Sequence, residues 1–151
     1  MRIANQHGYC LLDKKLVKCD KTTTPIELCD LLSPNGHFIH VKHRKGGSAG
    51  LSHLFSQGNV AAEVMLGDRE FRFQARKVIK AQNPIFCAQL PLDGFKSSAV
   101  EIVFAILGDT HADVKTNLPF FSKVNLARVY DDLAGRNYKV SIAGIPKVAR
   151  P

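Results

Sequence analysis

Between Ala99 and Leu107 the chain reads AVEIVFAIL, a run of strand length that is apolar everywhere except Glu101. Such a run has no polar face to turn to solvent, so it fits only the middle of a sheet covered by helices. It is about half the ~20 residues that a membrane-spanning helix needs. A buried central strand therefore sets the frame into which the other segments must fit.

Those segments divide at Pro, Gly and Asn. Gly8 to Val17 is apolar but breaks at Asp13-Lys14-Lys15, which predicts two short strands or a hairpin around the charges. After the Thr22-Thr23-Thr24-Pro25 turn, Ile26 to Leu32 reads as a strand opened by Pro25. Ser33-Pro34-Asn35-Gly36 is a tight-turn signal, and His37 to Arg44 (HFIHVKHR) is again strand-like. Lys45-Gly46-Gly47-Ser48 then forms a loop, with Ser48 as N-cap of a helix whose apolar and small positions recur at 51, 54, 55, 58, 61, 62 and 65. Gly67-Asp68 starts a second helix that presents Arg69, Arg72, Arg76 and Lys80 on one face and stops at Asn83-Pro84. A third helix covers Ser122 to Leu133, with Gly135 as its cap, before a last strand from Tyr138 to Ile142. Clustered strands followed by alternating elements imply an α/β or α+β fold, a mixed central sheet flanked by helices, in a single domain over 1–151.

The charge balance is +8, with 21 Lys and Arg against 13 Asp and Glu. An excess of that sign points to a polyanion, and the absence of a basic amphipathic terminal helix favours DNA or RNA over a membrane surface. The excess is concentrated: no acid occurs from Leu31 to Ala62, whereas Lys42, Arg44, Lys45 and four histidines do. Four cysteines without a C-x-x-C pair, and no signal-peptide pattern after Met1-Arg2, suggest reduced thiols in a cytoplasmic protein.

Strand alternation places His40, Lys42 and Arg44 on one face of their strand, opposite Ile39, Val41 and His43. Asp30, just before the tight turn, is brought by cross-strand pairing towards His40 and Lys42. A carboxylate on one strand and a lysine on the next suit phosphodiester hydrolysis. The carboxylate binds Mg2+ or Mn2+ through oxygen, and the lysine stabilises charge on the phosphorane-like transition state. A plain Asp30–Lys42 salt bridge on a surface strand is the simpler alternative.

At these residues the chain resembles the core of the restriction-endonuclease-like nucleases. Their motif sets an Asp on one strand, then Glu or Gln, any residue and Lys on the next, with a following helix that sometimes contributes a Gln. Asp30, His40-Val41-Lys42 and Gln57 occupy the corresponding places, over roughly Gly8 to Met65. More specifically, IELCDLL and HFIHVKHRKGGSAGLSHLFSQGNVAAEV are similar to the C-terminal part of a sporadically distributed, uncharacterised bacterial family. Its members are usually longer and tend to occur with mobile-element or phage-defence genes. The resemblance implies a restriction-endonuclease-like fold, catalytic Asp30, His40 and Lys42, metal at Asp30, and partners among nucleic acids, further copies of the chain or proteins of a defence system. One departure matters: the Glu or Gln of the motif is His40, and neutral imidazole is a poor ligand for Mg2+. Glu63 and Glu27 are candidate replacements, but Glu63 points away from Gln57 on its helix, and Glu27 should face the other side of its strand from Asp30. His40 thus also favours a non-catalytic module that keeps the fold for binding nucleic acid or protein.

Other side chains extend the expected contact surface. The backbone at Ser48, Arg44, Lys45, Gln57 and the Arg69, Arg72, Arg76 face are candidates for contacting nucleic-acid phosphates. The Ser48 loop lacks P-loop spacing and its Lys, which disfavours NTP hydrolysis. His37, His40 and His43 alternate faces without a thiol pair, which disfavours zinc. Cys29 is expected in the core rather than as a nucleophile.

Overall fold

The computed structural model describes residues 8–20, 22–108, 114 and 117–146. Among the described residues, seven strands form a five-stranded and a two-stranded sheet. The larger contains β1 (Cys10–Leu11), β4 (Leu31–Leu32), β5 (His37–His43), β6 (Glu101–Leu107) and β7 (Lys139–Ile145), in that order. β4 runs antiparallel to β1 and β5, whereas β5, β6 and β7 are mutually parallel, so the sheet is mixed. β2 (Leu16–Val17) and β3 (Ile26–Glu27) form the small sheet. Helices flank this arrangement: α1 (Gly47–Gly67), α2 (Arg69–Gln82) and α3 (Phe120–Gly135). Among the described residues no helix is long and apolar enough to cross a membrane.

The apolar run that sets the frame does lie at the centre, with β6 between β5 and β7. Its faces are unequal, however. Ile102, Phe104 and Ile106 are fully covered, whereas Val103 and Leu107 on the other face are half-buried. α1 packs over β5 and β6, and α3 packs beside it against β7. α1 approaches the sheet closely at Gly58. A Cβ there would stand 2.5 Å and 2.8 Å from the ring of Phe104 and 3.4 Å from His40. Phe55 meets the same Phe104 ring edge-on at 5.2 Å. Gly58→Ala gains helix propensity but drives a methyl into a packed ring, and overpacking wins. A net loss of about 1–2 kcal/mol is expected in urea denaturation; a neutral or stabilising result would contradict this packing.

Three expectations need correction. First, the two short strands after Gly8 do not pair with each other: β1 joins β4 and β2 joins β3, in different sheets. Second, Ile26 to Leu32 is not one strand; it divides into β3 and β4, separated by buried Leu28 and Cys29. Third, α3 is capped not at Gly135 but beyond it. Asn137 takes the left-handed conformation (φ 68°), and the Tyr138 amide donates to the Leu133 carbonyl at 3.0 Å. Asn tolerates that conformation, and its turn satisfies carbonyls at the helix end.

Candidate functional site

β4 is only two residues long and pairs with β5 at Leu31↔Ile39 and Leu32↔Phe38. The β4-facing amides farther along β5 need another acceptor if they are not to remain unpaired. Asp30 supplies one, its Oδ2 accepting the Val41 amide at 2.6 Å. The backbone of Asp30 is held on both sides, donating to the Ile39 carbonyl at 2.9 Å and accepting from the Leu12 amide at 2.8 Å. The carboxylate thus sits at the peptide between His40 and Lys42, the segment to which the sequence pointed.

Two acids join it that the sequence did not bring there. Asp13, from the turn after β1, and Glu27, at the end of β3, each place an oxygen with that of Asp30, all within 4.8 Å of one another. All three are half-buried. Burial, followed by the hydrogen bond and charge of Asp13 and the charge of Glu27, raises the Asp30 pKa to about 6 against the opposing Val41 amide. Alternation fails for Glu27 because the chain leaves one sheet and enters another between Glu27 and Asp30, so a single-strand rule does not apply. Glu63 does not join the cluster; its carboxylate lies 3.5 Å from Arg136. Three carboxylates gathered at one point suit a hard divalent cation, which binds through oxygen.

His40 is elsewhere. Its ring is buried beneath α1, 5.9 Å from the ring of Phe104, and Nε2 has no hydrogen-bond partner among the described residues. Burial lowers its pKa to about 4, so the imidazole is neutral at physiological pH. It does not contribute to the carboxylate cluster, which departs from its expected place beside Asp30. It does share a pocket with Gln57 from α1 and Glu27 from β3, so the expected helix Gln and the motif position reach one concavity.

Lys42 is half-buried, its stem directed at the first turn of α1: Cε is 3.7 Å from where a Cβ on Gly50 would be. Among the described residues no hydrogen bond or ion pair joins it to Asp30, so the simple salt bridge is not formed. Lys45 is exposed, and the Arg44 guanidinium donates to the Asn117 carbonyl from a 3-10 turn that replaces the expected loop. Ser48 lies inside α1 rather than capping it, its hydroxyl 3.2 Å from that of Ser122 on α3.

The basic face of α2 makes contacts within the chain. Arg72 donates to the Met65 and Leu66 carbonyls at the end of α1 and to Leu92. Arg76 donates to the Cys87 and Leu90 carbonyls, each at 2.7 Å, and Arg69 pairs with Asp93. These guanidiniums fasten the segment after α2. Periodicity identified the face but not its partners. His37 lies 3.6 Å from Glu101 and His43 is exposed, so the three strand histidines do not converge on a metal. Cys29 is fully buried, as expected.

The sequence model of a family of unknown function (DUF6119) matches residues 1–146. No curated protein and no solved structure matches the chain.

Proposed function

We propose that this chain, which belongs to that family of unknown function, engages nucleic acid and hydrolyses phosphodiesters with a divalent cation at Asp13, Glu27 and Asp30. The observation that carries the reading is the gathering of these three carboxylates at the Val41 amide, one residue from Lys42. Mg2+ or Mn2+ there would polarise a phosphate and lower the pKa of a water. Asp30, Asp13 and Glu27 would hold the cation, and with the Asp30 pKa raised to about 6 its binding would release a proton towards acid pH. The Lys42 ammonium stabilises negative charge as the phosphorane-like transition state forms. Phosphates on either side of the scissile bond are attracted by Lys42, Arg44 and Lys45 at the acid-free start of α1. The restriction-endonuclease-like arrangement, with an acid beside one strand, a lysine on the next and a glutamine on the following helix, belongs to this proposal, as does a role against mobile or phage nucleic acid.

A second reading is favoured by His40. Where the nuclease motif carries Glu or Gln, this chain has a buried neutral imidazole outside the cluster. That suits a module that binds nucleic acid, or a protein of a defence system, without cleaving.

The two readings separate on plasmid and single-stranded substrates incubated with Mg2+, Mn2+ or EDTA. Cleavage is expected with a divalent cation and not with EDTA, and Lys42→Ala should lower it by about 100-fold, the order seen when one transition-state charge stabiliser is lost. Undiminished cleavage by Lys42→Ala would remove Lys42 from the mechanism. Binding with a steep salt dependence but no cleavage under any condition would favour the binding module.

A further inference from the structure

β7 ends the five-stranded sheet, and among the described residues no strand pairs with its outer edge. Within a strand the N–H and C=O of one residue point to the same side, and the side alternates from residue to residue. The Lys139 amide donates to the Val100 carbonyl, and the Ile145 carbonyl accepts from the Gly108 amide, so the odd-numbered residues of β7 face β6. Val140, Ile142 and Gly144 therefore turn their backbone groups outward. Sheets commonly blunt such an edge with charges, proline or a bulge. Here Lys139 stands before the outward residues and Pro146 after them, and no charge or proline lies between.

The helix beside this edge leaves a face uncovered among the described residues. α3 carries the chain back between two parallel strands, so it runs against β7. Its inward side, with Leu126, Val129 and Leu133, packs in the core. A second stripe at spacings of three and four, Phe120, Val124, Ala127, Tyr130 and Ala134, is exposed. Phe120, Val124 and Tyr130 are 72%, 54% and 51% exposed, a contiguous apolar surface of the kind that marks an interface. Lys123 and Asp131 flank the stripe, each four residues from Ala127, and among the described residues neither makes an ion pair. Ala127 and Ile142 line one groove between α3 and β7.

We infer that this face joins two copies of the chain about a two-fold axis, β7 against β7 and α3 against α3. The edge is its own complement. Antiparallel pairing centred on Ile142 sets Ile142 opposite Ile142 of the partner and Val140 opposite Gly144 of the partner, and every residue in these pairs is one whose backbone faces outward. The same rotation lays α3 antiparallel to its copy, centred on Ala127, whose small side chain lets the helices approach. Lys123 then faces Asp131 of the partner, and Asp131 faces Lys123 of the partner. Lys123 to Asp131 spans about 12 Å of helix, and Val140 to Gly144 about 13 Å of strand, so one axis through Ala127 and Ile142 serves both elements. This symmetry of charge selects a second copy over an unrelated strand. Asp13, Glu27 and Asp30 belong to the other end of the strand order, by β1 and β4, so the dimer is independent of the proposed nuclease function.

Sedimentation velocity of the full chain across the micromolar range tests the inference, and a concentration-dependent dimer is expected. Lys123→Asp and Asp131→Lys should each weaken association by about tenfold, because the two-fold axis brings like charges together twice. The double variant restores both pairs and should associate as the wild type does. Ala127→Glu, at an exposed position, should give a monomer with an unchanged circular dichroism spectrum. Amide hydrogen exchange supplies a readout that needs no variant. Val140, Ile142 and Gly144 should be protected in the dimer and exchange faster on dilution, whereas Ser141 and Ala143, which face β6, should keep their protection. A chain that stays monomeric, a dimer whose outward amides are unprotected or that survives Ala127→Glu, or a double variant no better than the single reversals would overturn the inference.

Discussion

Asp30→Asn is expected to yield a protein that is more stable at pH 8 in EDTA yet no longer responds to a divalent cation. The reason lies in the raised pKa of about 6, caused first by burial and then by Asp13 and Glu27. The folded state retains a proton that the unfolded chain releases above its ordinary value of about 3.9. Stability from this group is therefore present at low pH, falls as pH rises through 4 to 6, and is fully lost above that window. Asn keeps an oxygen for the Val41 amide and carries no charge. Because Asp30 is only half-buried, solvent screening reduces the gain to roughly 1 kcal/mol, or about 3 °C in a chain this size. A cation changes the comparison. The wild type should gain about 2.7 kcal/mol at a concentration 100 times its dissociation constant, and Asp30→Asn almost none. Thermal melts at pH 5, 6 and 8, with and without Mn2+, measure both effects. Cleavage should fall with the cation response, by about 100-fold or more in the variant. A variant less stable than wild type in EDTA, or equally stabilised by Mn2+, would mean that the three carboxylates do not form a cation site.

How far the sequence anticipates this site depends on the length of the segments that build it. β6 and β5 were legible because seven-residue strands show their character within themselves, and α1 because its apolar stripe spans about four turns. Asp13 and Glu27 were not legible, since each belongs to a strand or turn of two or three residues whose partner is chosen by tertiary packing. Alternation assumed continuity between Glu27 and Asp30, and the chain changes sheet there. Asp30 borders the acid-free stretch from Leu31 to Ala62, but Asp13 does not, since Asp20 and Glu27 lie between it and that stretch. Arg72 and Arg76 show the reverse limit: on a correctly identified basic face, their half-buried guanidiniums donate to carbonyls of other segments, while exposed Arg69 pairs with Asp93. Spacing along a helix shows which side chains share a face, not which carbonyls another part of the chain brings to it.

His40 carries the second large effect, and its sign opposes that of Asp30. A fully covered imidazole whose pKa falls to about 4 stays neutral in the folded state while the unfolded chain takes up a proton below about 6.5. Stability is complete above that value and is lost as pH falls through 6.5 towards 4, by about 3 kcal/mol when the whole shift is realised. That is a large part of the roughly 5–15 kcal/mol that holds a domain of this kind together. In the wild type the Asp30 contribution rises over much of the same interval and masks part of the loss. Asp30→Asn should therefore show a steeper fall in urea midpoint between pH 6.5 and 4. Adding His40→Phe, which keeps an aromatic ring beside Phe104 and removes the orphaned nitrogen, should flatten it. The double variant should also be more stable at pH 7, because a buried polar atom without a partner costs about 1–3 kcal/mol. An acid limb that persists unchanged after His40→Phe would place the proton uptake on another group and contradict the burial of a neutral His40 beneath Gly58.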